Sequence, residues 1–222
     1  RTALALGARE GEATRFHRKN YFEPDLPKAY QISQYDLPLA EGGGLPIGEN
    51  EDARRIPITR LHLEKDAGIL VHAASDGRHG GSAYSVVDDN RGGVPLMEIV
   101  SEPEIKSPGE AKEYVSRLRQ LVRYLGVSDG DMEKGSLRVD ANVSITREDG
   151  SLGTKVEVKN MNSLRALERA LEYEIDRQGG MLGRGEDVFQ ETRHWDDSKG
   201  ITTGSRGKEA AHDYRYFPDP DL

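Results

Sequence analysis

Acidic residues stand at alternating positions in two stretches whose pattern predicts β-strands. Asp140 lies in the first stretch, Leu137–Ile145, and Glu157 lies in the second, Thr154–Lys159. Alternate side chains of a strand share one face, so the polar positions of this strand pair face the same side. Hard cations such as Mg²⁺ prefer oxygen ligands, commonly one or two carboxylates together with substrate phosphates. We therefore expect the two carboxylates to lie about 4–7 Å apart at the floor of a cleft, within reach of one metal ion.

Basic residues share the polar face with these acids, namely Arg138, Lys155 and Lys159. Acids that hold a metal beside cations that face phosphate are typical of phosphoryl transfer. Other predicted strands add further acids to the candidate set: Glu64, Asp66 and Glu98. A solvated, salt-bridged face of a sheet has the same composition, so the pattern alone leaves both interpretations open.

The segment His17–Gln34 combines basic residues, interleaved aromatic residues, amides and two prolines. This composition suits a rigid loop that stacks on unpaired nucleotides and forms hydrogen bonds with them. A surface loop stiffened by proline, with buried tyrosines, is the alternative. The aromatic stretch Asp213–Asp221 predicts a strand followed by a turn, and core packing explains its rings. The six histidines are scattered, and we interpret each as a surface or structural residue.

Two helices and several strand pairs must position these residues. A capping box with proline at the first helical position begins one helix at Ser107, and Gly126 ends it. A second helix runs from Asn162 or Ser163 to Gly179. The predicted strands are Ile56–Asp66 and three hairpins: Leu137–Ile145 with Thr154–Lys159, Ser85–Asn90 with Val94–Val100, and Val188–Trp195 with Ile201–Arg206. This pattern predicts one compact α+β domain, an antiparallel sheet with helices packed against it.

Composition excludes several classes of protein. The 222 residues include 31 Lys and Arg against 39 Asp and Glu, a net charge of −8 that argues against a generic basic nucleic-acid coat. A local basic patch remains compatible with this charge. The chain has no cysteine, which excludes disulfide scaffolds, thiolate zinc sites and a cysteine nucleophile. P-loop, Rossmann, His-Glu-x-x-His and Gly-x-Ser-x-Gly motifs are missing. The sequence offers no membrane-spanning run and opens with no signal peptide, so we expect a cytoplasmic protein.

Long strings of residues in a fixed order resemble the B subunit of the tRNA-dependent amidotransferases. The matching stretches are Arg18–Gln34, Arg60–Gly68, Val87–Pro103, Gly126–Asn142, Gly153–Ser163, Gln190–Trp195 and Lys208–Leu222. The resemblance covers essentially the whole chain and implies that residues 1–222 are the catalytic cradle domain of that family. It implies a fold similar to the catalytic domain of glutamine synthetase. It also implies a fragment that lacks the first strands and the C-terminal helical and tail domains, which agrees with Arg1–Arg9 resembling the end of a helix.

The resemblance implies a ligase that uses ATP and Mg²⁺. Misacylated Glu-tRNA(Gln) or Asp-tRNA(Asn) is first phosphorylated on its side-chain carboxylate. Ammonia released from glutamine by the partner amidase A subunit then displaces the phosphate. The implied partners are this A subunit and a small C subunit in a heterotrimer, together with the misacylated tRNA, and neither DNA nor a membrane.

Residue roles follow from the resemblance position by position. The metal-facing acids are Glu64, Asp140 and Glu157. The residues that line the site are Glu98, Arg138 and Lys159, of which Arg138 and Lys159 also face the nucleotide. The residues that face the tRNA end are Lys19, Tyr21 and Asp25.

Two departures from the family pattern bear on activity. The family string His-Leu-Glu-Glu-Asp-Ala-Gly has two adjacent acids, and here Lys65 replaces the second. Strand alternation places Lys65 opposite Glu64, which makes the change harmless unless a bulge intervenes. The family's Gly-x-Glu-x-His-x-Glu-Leu segment is also missing, so we do not expect the fragment to be active by itself. A non-catalytic tRNA-binding scaffold, which Lys65 favours, is the main alternative, and an unrelated metal-dependent ligase or hydrolase is the third.

Overall fold

The computed structural model describes residues 1–72, 84–204 and 214–222. Its elements in chain order are α1 (Thr2–Ala5), β1 (Arg9–Glu10), β2 (Phe16–Asn20), β3 (Tyr30–Gln34), β4 (Ala40–Glu41), β5 (Gly44–Ile47), β6 (Arg54–Lys65), β7 (Ile69–His72), β8 (Ser85–Asp88), β9 (Pro95–Ser101), α2 (Pro108–Tyr124), β10 (Ala141–Val143), β11 (Val156–Lys159), α3 (Leu164–Gly183), β12 (Thr192–Asp196), β13 (Ile201–Gly204) and β14 (Phe217–Pro218). The content is α+β, as the sequence predicted. The end of the predicted strand Ile201–Arg206 and the first residue of the stretch Asp213–Asp221 lie outside the described residues.

The sequence predicted one compact domain, whereas contacts divide the chain into two compact units. The first unit comprises residues 1–2, 45–56 and the described part of Pro103–Glu209. The second comprises Ala3–Gly44, Pro57–Glu102 and the described part of Ala210–Leu222. Each unit is considered by itself below.

Both predicted helices belong to the first unit, where α2 packs against α3. The Ser107 hydroxyl accepts the backbone N–H of Glu110 at 3.2 Å and caps α2, which confirms the predicted start. Gly126 follows the helix at φ 64°, a conformation that glycine adopts without steric cost. Ser163 caps α3 in the same way, and this helix continues four residues beyond the predicted end at Gly179.

A four-stranded sheet, in the order β10-β11-β12-β13, completes the first unit. The β10–β11 and β12–β13 pairs are antiparallel, which confirms two of the predicted hairpins, whereas β11 and β12 run parallel. The strand predicted over Leu137–Ile145 is present only at Ala141–Val143. The N–H groups of Ser136 and Leu137 bond to the carbonyl of Asp131, so this backbone belongs to a turn and not to the sheet.

The long strand β6 is the centre of the sheet in the second unit. The path β1-β4-β6-β3-β2-β14 passes through it, and β9 and β5 also pair with it. Its register against β9 shifts once, between Ile58 and Arg60, and is then regular to the pairing of Lys65 with Pro95. Glu64 is buried and Lys65 is exposed, so the strand alternates here without a bulge.

One predicted hairpin is wrong. Segments Ser85–Asn90 and Val94–Val100 both contain strands, but β8 pairs with β7 and β9 pairs with β6. Asp66 explains this outcome, because its backbone exchanges hydrogen bonds with Gly93 and Val94 at 2.8 Å each. Those bonds place the start of β9 beside the end of β6, and β9 therefore pairs with β6 and not with β8.

The segment His17–Gln34 is largely a hairpin of β2 and β3 and not the predicted loop. Polar strand residues obscured this pattern. Gln31 is buried because its side-chain amide donates to the carbonyl of Lys65 at 2.7 Å. Only residues 21–29, which we call the pocket loop, connect the two strands. The last strand, β14, pairs with β2, so the aromatic tail does contain the predicted strand.

No helix among residues 1–72, 84–204 and 214–222 has the length and hydropathy to cross a bilayer.

Candidate functional site

Two carboxylates of the second unit, Glu64 and Glu98, contact the same ring nitrogen of His62 and are called the acid pair below. His62 Nε2 is 3.4 Å from an oxygen of each. These three side chains offer ligand atoms that all lie within 4.8 Å of one another, in a chain whose described residues show no other such group of three. Their positions follow from strand pairing: His62 and Glu64 share a face of β6, and Glu98 stands directly opposite His62 on β9.

The orientation of the His62 ring limits what it can bind. Its Nδ1 accepts a hydrogen bond from Arg60 Nε at 3.3 Å. Nε2 then carries the proton of the neutral ring and donates toward the acid pair. A metal-bound histidine normally donates from its other nitrogen, and Arg60 Nε prevents this at Nδ1. The two carboxylates are therefore the groups available to a metal ion, and His62 contacts both of them.

Burial and mutual contact shift the pKa values of this cluster. Burial opposes protonation of His62, but its bonds to Glu64 and Glu98 prevail and raise the pKa of His62 above 6.5. The bond to His62 lowers the pKa of Glu98 to about 2. Burial raises the pKa of Glu64, which also shares a hydrogen bond with Glu98. One carboxylate is thus firmly ionised, and its neighbour holds a proton more readily.

Lys19 on β2 shares a face of the sheet with Glu64, because Lys19 pairs with Gln31 and Ser33 pairs with Glu64. The charge of Lys19 favours the ionised forms of both Glu64 and Glu98. Its ammonium group lies 4.7 Å from the centroid of the Tyr214 ring and 5.8 Å from that of the Tyr21 ring. Aromatic faces attract a cation, so the two rings orient the lysine. A fixed cation beside two carboxylates is suited to a phosphate that a metal also contacts.

The first unit holds a second polar cluster, formed by Asp140, Glu157 and Lys159. The Lys159 ammonium is 2.8 Å from an Asp140 oxygen and 3.4 Å from a Glu157 oxygen. Both carboxylates thus contact one ammonium group, although the Asp140 side chain is 51% exposed and precedes β10. The expected separation of about 4–7 Å at the floor of a cleft stays a prediction. Burial opposes the charge of Lys159, but the two acids prevail and raise its pKa. Thr192 on β12 donates to the second oxygen of Glu157 at 3.0 Å.

The sequence profile of the GatB/GatE catalytic domain matches residues 1–222. The chain belongs to this family. It is 60% identical over 223 residues to a Moorella thermoacetica protein named as the B subunit of aspartyl/glutamyl-tRNA(Asn/Gln) amidotransferase. Proteins of the same name from Nostoc punctiforme and Thermotoga maritima are each 56% identical. Each alignment covers 100% of this chain and 46% of the relative, so the chain spans about half the length of these proteins.

Within this GatB/GatE chain, the structure distributes the predicted site residues over both units. Glu64 lies with Glu98 in the second unit, whereas Asp140 and Glu157 lie in the first. The predicted three-acid metal set therefore stays a prediction. Arg138 is exposed and precedes β10, so strand alternation does not fix its direction.

The predicted tRNA-facing residues occupy different settings. Lys19 belongs to β2 and shares a face of the sheet with Glu64, whereas Asp25 lies in the pocket loop. Tyr21 lies at the start of that loop, and its hydroxyl donates to Gln31 at 3.1 Å. Contact of these three residues with tRNA stays a prediction.

His62 is a site residue that the sequence pattern did not single out. The sequence predicted a scattered surface or structural histidine, yet its side chain is only 5% exposed and bonds to both members of the acid pair. The available signal was its spacing of two residues from Glu64 on a predicted strand, which places both on one face.

Proposed function

We propose that the chain is the carboxylate-activating part of a tRNA-dependent amidotransferase. Its substrate would be Glu-tRNA(Gln) or Asp-tRNA(Asn), and ATP would phosphorylate the side-chain carboxylate of the misplaced amino acid. Membership of the GatB/GatE family and the names of the relatives support this proposal. The structural observation that carries it is the acid pair with Lys19 beside it.

Activation is required because a free carboxylate is a poor acyl donor, since its leaving group would be oxide. In the first step a carboxylate oxygen of the substrate attacks the γ-phosphorus of ATP, and ADP leaves. In the second step ammonia attacks the acyl carbon, and inorganic phosphate leaves with the electron pair of the broken C–O bond. The negative charge on the transferred phosphoryl group calls for cations, which Lys19 would supply in the second unit and Lys159 and Arg138 in the first.

The acid pair fits Mg²⁺, since two carboxylates with nearby substrate phosphates form its usual ligand set. Glu64 and Glu98 would hold the ion, and Asp140 and Glu157 are the remaining proposed ligands. When bound, Mg²⁺ would neutralise charge on the phosphate oxygens. His62 would keep the acid pair aligned and take no part as a ligand.

Partners and location follow the same proposal. Ammonia would come from an amidase A subunit, and a small C subunit would complete the heterotrimer. The similarity to the catalytic domain of glutamine synthetase belongs to the proposal too, because both reactions pass through an acyl phosphate. Aminoacyl-tRNA is used in the cytoplasm, where we expect the complex.

The position of Lys65, on which the scaffold alternative rested, favours the catalytic proposal. Lys65 is exposed and lies on the face of β6 opposite Glu64. Its charge therefore does not enter the acid pair. A scaffold would still bind misacylated tRNA, but it would not consume ATP.

The test uses the complete complex with the full-length B subunit and measures phosphate release from ATP stimulated by misacylated tRNA. Glu64→Gln and Glu98→Gln should each reduce release at least 100-fold and leave tRNA binding intact. Lys19→Ala should reduce release more than tenfold, whereas Lys28→Ala, an exposed lysine of the pocket loop, should not. Release near the wild-type rate in both glutamine variants would exclude the acid pair as the site. A wild-type complex that binds misacylated tRNA without releasing phosphate would establish the scaffold.

A further inference from the structure

Arg60 is a half-buried cation on the face of the sheet that carries the acid pair. The register of β6 against β9 is regular from Arg60 onward, so Arg60, His62 and Glu64 alternate onto one face. Glu98 stands opposite His62, and Arg60 stands one step along the same face, opposite Val100. Strand pairing therefore fixes the backbone position from which the Arg60 side chain approaches the acid pair.

The Arg60 guanidinium has no anionic partner within residues 1–72, 84–204 and 214–222. Its Nε donates to Nδ1 of His62 at 3.3 Å, and no carboxylate of these ranges forms an ion pair with it. Glu41 stands opposite Arg60 on β4, but its carboxylate lies 3.7 Å from the Arg9 guanidinium instead. Arginines of similar burial do pair with acids, namely Arg18 with Asp219, Arg54 with Glu110 and Arg91 with Asp66. A half-buried cation without an anion is stabilised when an anionic ligand supplies one.

The bond to His62 leaves most of the guanidinium available to a ligand. A guanidinium offers five N–H donors in one plane, and this bond uses the one on Nε. The two terminal nitrogens form a fork whose spacing suits two oxygens of a phosphate group. His62 also contacts both members of the acid pair, so the plane of the fork is restrained before a ligand binds. Such restraint reduces the entropy lost on binding.

A phenol that precedes β14 lies near both Arg60 and the acid pair. Burial and the charges of Glu64 and Glu98 raise the pKa of Tyr216, whereas the charge of Arg60 lowers it. The phenol therefore keeps its proton at neutral pH and can donate a hydrogen bond. Its ring is stacked on that of Tyr35, with centroids 4.3 Å apart and planes inclined by 9°. Two kinds of donor are thus available near carboxylates that fit Mg²⁺, a combination suited to phosphate.

Strand register places Lys19 and Arg60 on either side of Glu64 along the strands. His17 pairs with Ser33, and Ser33 pairs with Glu64, so these three residues stand at one level of the sheet. Both β2 and β6 are antiparallel to β3, and they therefore run in the same direction. Lys19 lies two residues beyond that level and Arg60 lies four residues before it, at about 3.3 Å per residue. An anion bound at the acid pair thus has one cation toward each end of the strands.

We propose that Arg60 binds the phosphoryl group that passes from ATP to the substrate carboxylate. The inference rests on the proposed function and adds a catalytic residue to it. A carboxylate oxygen of the substrate attacks the γ-phosphorus, the bond from that phosphorus to the bridging oxygen breaks, and ADP leaves with its electron pair. The transferred group keeps three non-bridging oxygens, whose negative charge a guanidinium fork stabilises. The same fork on the attacking carboxylate would oppose the attack, because a cation weakens a nucleophile.

The first experiment measures nucleotide binding to the complete complex with the full-length B subunit. The probes are ADP and the non-hydrolysable analogue β,γ-imido-ATP, both with Mg²⁺. Arg60→Gln should weaken binding of the analogue about tenfold, the loss expected for charge-assisted hydrogen bonds, and leave ADP binding unchanged. Arg55→Gln is the matched control, since Arg55 is an exposed arginine at the other end of β6, and it should bind both probes as the wild type does.

Phosphate release stimulated by misacylated tRNA is the second readout. Arg60→Gln should lower kcat about 1000-fold, as loss of a phosphate-binding arginine does in other phosphoryl transfers, and leave the KM for misacylated tRNA unchanged. Arg60→Lys keeps the charge but not the fork, so it should recover only part of the rate. Guanidinium ion added to Arg60→Ala should restore release, which the loss of a purely structural contact would not allow.

Several outcomes would overturn the inference. Wild-type binding of the analogue and wild-type release in Arg60→Gln would exclude contact with the phosphoryl group. Unchanged binding of the analogue with a raised KM for misacylated tRNA would assign Arg60 to the substrate. If Arg60→Gln fails to assemble, Arg60→Lys decides, and wild-type release in that variant would overturn the proposal. Failure of the proposed function would appear separately, as a wild-type complex that binds misacylated tRNA and releases no phosphate from ATP.

Discussion

At the scale of single residues, the acid pair controls the charge of His62. Its folded-state pKa lies above 6.5 because Glu64 and Glu98 outweigh the effect of burial. A raised pKa means that the stabilisation from protonated His62 is complete below about pH 6.5 and is lost as the pH rises through the folded-state value. Protonation also places an N–H at Nδ1, so His62 then gives up the hydrogen bond that it accepts from Arg60.

We predict that Glu98→Gln lowers the pKa of His62, because it removes one of the two carboxylates that favour the imidazolium while burial still opposes the charge. NMR titration of histidine-labelled protein measures this shift. His194 serves as an internal control, because it lies in the first unit, where burial and the charge of Lys159 lower its pKa. Its value should not change. An unchanged His62 titration in Glu98→Gln would show that the ion pair contributes nothing to the cluster.

Lys65 gives the second residue-scale prediction. Since it is exposed and its strand is regular from Arg60 onward, Lys65→Glu should change stability by no more than about 0.5 kcal/mol. Phosphate release by the complete complex should stay within twofold of the wild-type rate, in contrast with Glu64→Gln. A large gain in Mg²⁺-dependent release with Glu at position 65 would show that this position, and not Glu64, faces the metal.

At the scale of elements, local signals predicted more than long-range ones. The cap at Ser107 and the stop at Gly126 determine α2 within a few residues, so its bounds could be predicted. The partner of β9 could not, because β6 lies some thirty residues earlier and no local pattern favours it over β8. The same limit applies to the site. Glu64 was identified by resemblance, but its contact with Glu98 depends on the register between two distant strands.

The helix α3 carries a buried ion network whose removal tests how the strands of the first unit are held. Glu174 is fully buried and bonds to Arg177, Gln178 and Thr202 at 2.6–3.0 Å. Its other neighbour is Arg193 on β12, at 3.6 Å. The network thus joins α3 to β12 and β13, and β12 pairs with the strand that carries Glu157 and Lys159.

We predict that Glu174→Ala destabilises the first unit by about 3–5 kcal/mol, because two arginines lose their buried partner. The chain has a single tryptophan, Trp195, and it is buried in β12, so its fluorescence during urea unfolding reports on this unit. Glu172→Ala is the matched control, as an exposed glutamate of the same helix, and should cost less than about 0.5 kcal/mol. Equal midpoints for both variants would mean that packing alone holds these strands.

At the scale of the whole molecule, net charge and the proposed substrate pull in opposite directions. A chain of net charge −8 repels a polyanion, yet the proposal requires it to accept the end of a tRNA. The structure reconciles these demands locally. Lys19 lies near the rings of Tyr21 and Tyr214, so one cation and aromatic surface are available together at one place. Recognition of the tRNA would therefore rely on its unpaired end and not on the phosphates of its double-helical stems.

We therefore predict that the chain binds generic double-stranded RNA no more tightly than about 10⁻⁴ M at 0.15 M salt, the weak end of non-specific binding. The logarithm of the binding constant should also fall only slowly with the logarithm of salt concentration, because few phosphates are neutralised. Fluorescence anisotropy with a labelled RNA duplex measures both quantities. Micromolar affinity with a steep salt dependence would reveal an extended basic surface, and the tRNA would then be held along its helix as well as at its end.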